Sequence, residues 1–392
     1  MATLIQSGPA EHEVSLSGPG AQTTGSPAER FTSREPEAFE VPSSRDEVWR
    51  FSPVDRLRPF FEVFEPDGVI QADNTVPDGA HVDVVEPSST AAFGRALEPA
   101  DRVSALAMAN ATRGLHVRVD ANAELSEPIV LVRKGISGRS YGHHVVEVGA
   151  NARATLVLDH VGEIQIAANM EIVVGEGAQL SIVAINDCEP GSIQLSSYAA
   201  MVGRDATYRH INVSLGGDIV RIVPTVRFSG RGGRAELLGL SFAGPGQHFE
   251  TRLFVDHGEP DCSSDVLYKN ALEGENARTV WIGDVRIRPE ATGTQTFELN
   301  RNLVLTDGAR TDSVPNLEIE TGEILRAGHA SASGRFDDLQ LFYLQSRGIP
   351  ADEARRLVVR GFFAEVVNRI GVPQVQDRLL AAIEDELMRA GT

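Results

Sequence analysis

Val145-Val146-Glu147-Val148-Gly149-Ala150-Asn151-Ala152-Arg153-Ala154-Thr155-Leu156-Val157-Leu158 decides the fold. An apolar, β-branched run ends at a glycine, small residues follow, and a second apolar run begins. The same unit returns at Val174-Gly175-Glu176-Gly177-Ala178, Val202-Gly203-Arg204-Asp205-Ala206 and Ser229-Gly230-Arg231-Gly232-Gly233. This spacing falls within the roughly 20–50 residues of solenoid repeats. One coil cannot bury its inner face alone, whereas stacked coils share a continuous core. Glycine is read as supplying positive φ at the corners. A β-sandwich or jelly roll also has short strands, but the period favours a solenoid. The expected fold is mainly β, a right-handed parallel β-helix over 115–333, flanked by small N-terminal and C-terminal α-helical regions.

Upstream, residues 1–35 are rich in Ser, Gly, Pro, Thr and Glu and read as a disordered tail. Residues 36–114 read as a helical, mixed region. Trp49, Leu57, Phe60 and Phe61 suggest a short helix broken by Pro53 and Pro59, and Ala100 to Arg113 a second one stopping at Gly114. Downstream, 334–392 reads as a helical domain. Phe336, Leu339, Phe342 and Tyr343 have helical spacing, and Arg347-Gly348 then Pro350 signal a stop and a restart. Ala354, Leu357, Val358, Phe362, Val366 and Ile370 mark one face of the next helix. Val375, Leu379, Leu380, Ile383 and Leu387 mark one face of the last.

The 392 residues carry a net charge of −19. Such a chain is repelled by phosphate backbones, so nucleic acid is not an expected partner. The basic stretch Arg221 to Arg234 reads as solvated strand edges. Two distant cysteines, Cys188 and Cys262, point to a reducing compartment. No apolar run reaches the roughly 18 residues of a membrane span, and no signal peptide is read. The expectation is a soluble, cytoplasmic protein.

No nucleotide-binding or hydrolase motif is present. His143-His144 read as surface or turn histidines. His257 and Cys262 are too few for a closed zinc site. Cys188, beside Asp187 and Glu189, and Cys262 read as structural thiols. A carbohydrate-active β-helix enzyme is the alternative function, with Asp284, Glu298 and Asp312 available, though no spacing singles out a pair.

The string Gln295-Thr296-Phe297-Glu298-Leu299-Asn300-Arg301-Asn302-Leu303-Val304-Leu305-Thr306-Asp307-Gly308-Ala309-Arg310 is followed by Pro315-Asn316-Leu317-Glu318-Ile319, Gly328-His329-Ala330 and Leu341-Phe342-Tyr343-Leu344-Gln345-Ser346-Arg347-Gly348-Ile349. With these strings the chain from Phe254 onward resembles the SufB/SufD family of iron–sulfur cluster assembly proteins, the first of them matching that family's Q-x-x-x-x-N-R-N-L-L-L-S-D-G-A-R run. Length, and Ala330 where SufB relatives carry glutamate, favour the SufD branch. Ala327 stands where many relatives have a cysteine.

The resemblance implies a non-catalytic scaffold of the SUF system, part of a SufBCD complex. It implies pairing with a SufB-like subunit through β-helix ends and docking of a SufC-like ABC ATPase through the C-terminal helices. His329 maps to the cluster-assembly interface and is the implied metal ligand, clusters with histidine ligands being known. Phe342, Tyr343, Arg347, Gly348, Arg360 and Phe362 fall in the implied ATPase dock, although aromatics at that spacing also suit a bundle core. No tightly bound cofactor is implied; a transient iron–sulfur cluster would pass through the interface as cargo. Flavin binding has no motif here. Self-pairing of the isolated chain through the same surface stays open.

Overall fold

Each turn of the chain gives one strand to each of two facing sheets. The computed structural model describes residues 30–336 and 338–390. The first strands are β1 Val69–Thr75, β2 Ala80–Val85, β3 Gly114–Val119, β4 Ile129–Ser137, β5 Arg139–Val148 and β6 Arg153–Gly162. Then follow β7 Gln165–Val174, β8 Gln179–Cys188, β9 Ile193–Val202, β10 Thr207–Ser214, β11 Ile219–Phe228 and β12 Arg234–Ala243. The last are β13 His248–His257, β14 Ser263–Leu272, β15 Arg278–Ile287, β16 Gln295–Val304, β17 Arg310–Ile319 and β18 His329–Arg335. Sheet A runs β1-β4-β6-β8-β10-β12-β14-β16-β18, and sheet B runs β17-β15-β13-β11-β9-β7-β5-β3-β2. Apart from β1 and β2, which pair antiparallel at the N-terminal end, neighbours are parallel. The fold is a parallel β-solenoid of about 8 turns.

Among the described residues five α-helices flank it: α1 Val54–Leu57, α2 Arg102–Asn110, α3 Asp338–Ser346, α4 Ala351–Asn368 and α5 Pro373–Ala390. Side chains alternate across each strand, so every strand faces two environments. Leu156, Leu158, Ile172, Val174, Ile182 and Val255 fill the space between the sheets. Val157, Val183, Ile185 and Leu238 point out of sheet A and are covered by Val359, Phe363, Val366 and Ile370 of α4 and Leu379 and Ile383 of α5. Tyr141, Ala167, Leu195 and Ile219 point out of sheet B, under Trp49, Leu57, Phe60, Phe61 and Leu106.

The corners differ in detail from the sequence reading. Gly177 and Gly232 supply positive φ as read, but the first glycine of each repeat is needed for close approach instead. A Cβ at Gly175 would sit 2.7 Å from the Val148 carbonyl oxygen, and one at Gly203 2.8 Å from that of Val174. The left-handed corner position lies two residues further on and is shared by Asn151 (φ 58°), Gly177 (67°), Asp205 (54°), Gly232 (74°), Asp261 (57°) and Gly293 (71°). Asn and Asp tolerate this conformation best after glycine. Gly203→Ala is accordingly expected to cost about 1–3 kcal/mol by overpacking. Urea denaturation measures it; an unchanged midpoint would refute the close-approach argument.

Other expectations are corrected. Residues 1–29 of the predicted tail lie outside the described residues, but 30–35 are held against sheet B. Arg30 pairs with Asp284 at 2.5 Å and lies over the Phe254 ring, 4.3 Å from its centroid. The 36–114 region contributes strands β1 and β2 as well as helix. His143 and His144 belong to β5, not to a turn or the surface. His143 is buried against Glu171 at 2.8 Å, and His144 Nδ1 accepts from the Leu115 N–H. Arg221 is not a solvated edge but is 3% exposed, because Asp101 and Glu250 pair with it and Trp49 stacks on it.

Candidate functional site

The two ends of the solenoid are finished differently. At the N-terminal end, β1 and β2 reverse direction and stop the parallel stack. At the C-terminal end the stack simply stops, and among the described residues the outer edges of β17 and β18 have no neighbouring strand. All seven residues of β18 are exposed, and Leu317, Ile324 and Ala327 at the last turn are only partly covered. Repeat proteins need a polar cap at such a terminus to stay soluble alone, and a bare ladder edge is a template for pairing.

His329 begins β18, and its register partner on β16 is Glu298. The inward side of β16 carries Thr296, Glu298, Asn300 and Asn302, all buried. By register, His329, Ser331 and Ser333 continue those inward columns into the mouth. Two hydrogen bonds fit this. Asn302 Nδ2 donates to Ser333 Oγ at 3.1 Å, and Ser331 Oγ donates across the mouth to Ser313 Oγ of β17 at 2.7 Å. The column of Asn302 reaches deep into the core as His160, Asn186, Ser214, Ser241, Asn270, Asn302 and Ser333. Ser241 Oγ donates to Asn270 Oδ1 (2.7 Å), and Asn270 Nδ2 to Asn302 Oδ1 (2.8 Å). Asn300 and Asn302 thus make amide hydrogen bonds between coils, Asn300 Nδ2 donating to the Tyr268 carbonyl at 3.3 Å.

Glu298 is 1% exposed, and neither carboxyl oxygen has a hydrogen-bond partner. Burial, reinforced by the negative charge of Asp284, pushes its pKa up to about 8. The sequence named it only as one of three spare carboxylates for a hydrolase. Those three do not converge. Asp284 pairs with Arg30 and Asp312 with Arg278 and Arg310 on the outer face, while Glu298 faces inward. The readable signal was parity, since Glu298 falls in step with Thr296, Asn300 and Asn302.

The six dock residues separate into two groups. Phe342 and Tyr343 project from α3 and are 68% and 56% exposed, the opposite of bundle core. The Arg347 guanidinium lies over Tyr343, 4.8 Å from the ring centroid. Gly348 (φ 86°) ends the helix, with its own N–H bonding the Gln345 carbonyl and the Ile349 N–H bonding that of Leu344. This is a Schellman stop, which needs the left-handed residue. Arg360 and Phe362 serve the chain itself. Arg360 pairs with Glu384 of α5 at 3.1 Å, and Phe362 is half-buried beneath Lys269, whose Nζ donates to its carbonyl at 2.9 Å.

Neither thiol is a thiolate at neutral pH. Burial pushes Cys188 up to about 12 and Cys262 up to about 11. His257 Nε2 is occupied by the Ser264 hydroxyl at 2.9 Å. Among the described residues no helix is long and apolar enough to cross a membrane.

Comparison with known proteins converges on one family. Residues 131–362 match the profile for the SUF system FeS cluster assembly SufBD core domain. An iron–sulfur cluster assembly SufBD family protein of Mycobacterium tuberculosis is 51% identical over 373 residues, covering 92% of both chains. The iron–sulfur cluster assembly proteins SufD of Escherichia coli and Bacillus subtilis are 26% and 27% identical, over 69% and 72% of this chain and 66% of each relative. A two-sheet solenoid with matching core and relatives of this extent leaves one assignment: the chain belongs to the SufBD family of SUF-system iron–sulfur cluster assembly proteins.

Proposed function

We propose that this chain is a non-catalytic scaffold subunit. It pairs through the open end of its solenoid with a SufB-like subunit and docks a SufC-like ABC ATPase through the C-terminal helices. The nascent iron–sulfur cluster is cargo, held transiently at the solenoid interface beside His329, in the cytoplasm. The observation that carries this reading is the uncapped C-terminal end, where two bare ladder edges surround an exposed histidine. Main-chain pairing supplies affinity at such edges, and the side chains beside them supply specificity. The exposed Phe342 and Tyr343, with Arg347 behind them, support a separate dock, since aromatics and arginine are the commonest binding hot spots.

Tagged full-length chain is expected to recover a SufB-like and a SufC-like protein from native extract. Recovery of neither would sink the scaffold reading. His329→Ala is expected to leave folding and ATPase docking intact and to lower cluster yield in the reconstituted complex. An unchanged yield removes His329 from the site.

A further inference from the structure

A buried polar group with no partner calls for an explanation, because leaving one unmade costs about 1–3 kcal/mol and more for a charge. Glu298 is such a group with both oxygens orphaned. Space has been cleared for it. A Cβ at Gly283 would fall 2.6 Å from Glu298 Oε1 and 2.4 Å from Trp281 Cη2, so glycine here keeps the space beside the carboxyl open. The same Cβ would meet the Cη2 and Cζ2 carbons of Trp281, so a hydrocarbon edge of the indole also borders this space. The indole N–H of Trp281 and the hydroxyl of Tyr268 are themselves without partners, so neither answers the carboxyl.

At the mouth, a further donor stands beside the carboxyl. His329 stands directly over Glu298 in the strand register, with no residue between them. Adjacent strands lie about 4.8 Å apart, well within the combined reach of a glutamate and a histidine side chain. The bonds of Ser331 and Ser333 support an inward direction for this parity of β18. His329 is exposed at the rim, and its ring has no hydrogen bond among the described residues. A buried acceptor without a donor therefore lies one strand below an exposed imidazole without an acceptor.

We propose that Glu298 is a positioning residue for His329, accepting an imidazole N–H so that the ring is held over the mouth with its second nitrogen free. A carboxylate behind a ligating histidine fixes the tautomer and raises the basicity of the ligating nitrogen, and a protonated carboxyl still offers its carbonyl oxygen as the acceptor. In this chain it would decide which nitrogen faces the cargo. The cargo itself rests on the function proposed above, but the hydrogen bond does not and can be tested without it.

The test uses the full-length chain and reads the tautomer of His329 by 15N NMR at mildly alkaline pH, where free imidazole is neutral. The signal is assigned by its loss in His329→Asn. The wild type should show one fixed tautomer. Glu298→Gln keeps an acceptor oxygen and should preserve it, whereas Glu298→Leu should release the ring to a mixture. The leucine variant is expected to fold, since replacing an orphaned buried carboxyl by an apolar group of similar size is often neutral or stabilising. A single unchanged tautomer in Glu298→Leu, or a mixture in the wild type, overturns the proposal. In the reconstituted complex, Glu298→Leu should lower cluster yield about tenfold, the lower end of outer-shell effects, with Glu298→Gln restoring most of it. If His329→Ala leaves the yield unchanged, the cargo role of His329 fails, while the tautomer still decides whether Glu298 positions the ring.

Discussion

Acidification from pH 6 to pH 4.5 is expected to remove about 4 kcal/mol of stability per pH unit. Four histidines sit in the solenoid with depressed pKa values. Burial holds His144 at about 3 and His160, His210 and His257 at about 4. In the unfolded chain each takes a proton near pH 6.5, whereas in the fold each refuses it until about pH 4 or below. The unfolded state therefore binds four more protons in this window, and stability falls as the pH drops. Glu298 acts in the opposite sense. Its raised pKa makes the folded state hold one proton that the unfolded glutamate has lost above about pH 4.5. Three protons net, at about 1.4 kcal/mol per unit each, give the stated slope. Against a total of roughly 5–15 kcal/mol, this is enough to unfold a marginal domain. Above pH 6.5 the histidine contribution is complete and Glu298 alone erodes stability toward pH 8. Urea titrations across this range measure the slope. His210 gives the sharpest check, because both ring nitrogens lack partners and the ring lies between Tyr198 and Tyr208. His210→Phe should fold and remove one of the four histidine proton equivalents. An unaltered slope in that variant contradicts the account.

Arg221→Met is expected to cost about 3–5 kcal/mol, the usual penalty for stranding a buried charge. Arg221 bonds Asp101 Oδ2 at 3.0 Å and Glu250 Oε1 at 3.3 Å, with its guanidinium 4.0 Å from the Trp49 ring centroid. Asp101 also caps α2 through the Ser104 N–H at 2.8 Å. Burial alone would raise the Glu250 carboxyl. The hydrogen bond from His248 and the charge of Arg221 outweigh this and hold it at about 2. Ser52 adds a further bond to the same carboxylate at 2.6 Å. Removing the arginine thus loosens Trp49, α2 and the outer face of sheet B together. Hydrogen exchange should show lost protection in 49–64 and 102–110, with the inter-sheet core unaffected. A loss below about 1 kcal/mol, typical of solvent-exposed pairs, would mean that the network is not buried in solution.

The repeat made the solenoid readable, because strand, corner and strand recur with little variation. The α-helical boundaries were readable too, since Gly348, Pro350 and Gly371 punctuate clear apolar faces. What escaped depended on contacts between distant segments. Arg221 looks like any strand arginine until Asp101, 120 residues earlier, is brought beside it. His143 looks superficial until the loop around Gly94 and Ala96 closes over Glu171, which accepts both of their N–H groups. Phe342 and Tyr343 share the spacing of core residues, and spacing cannot tell a helix face that meets a sheet from one that meets solvent. Of the candidate site, His329 was found by resemblance, whereas Glu298 needed the register that places it underneath.

The covering of both sheets gives the molecule a mechanical character. With the N-terminal region spread over sheet B and α4 and α5 over sheet A, bending would have to compress one skin and stretch the other. About 8 turns at roughly 4.8 Å each make a beam near 40 Å long. Its interior rungs, from His160 to Ser333, resist one turn sliding on the next. A torque applied at α3–α5 is therefore delivered at the open end as a rotation of the whole beam, not absorbed as flexure along it.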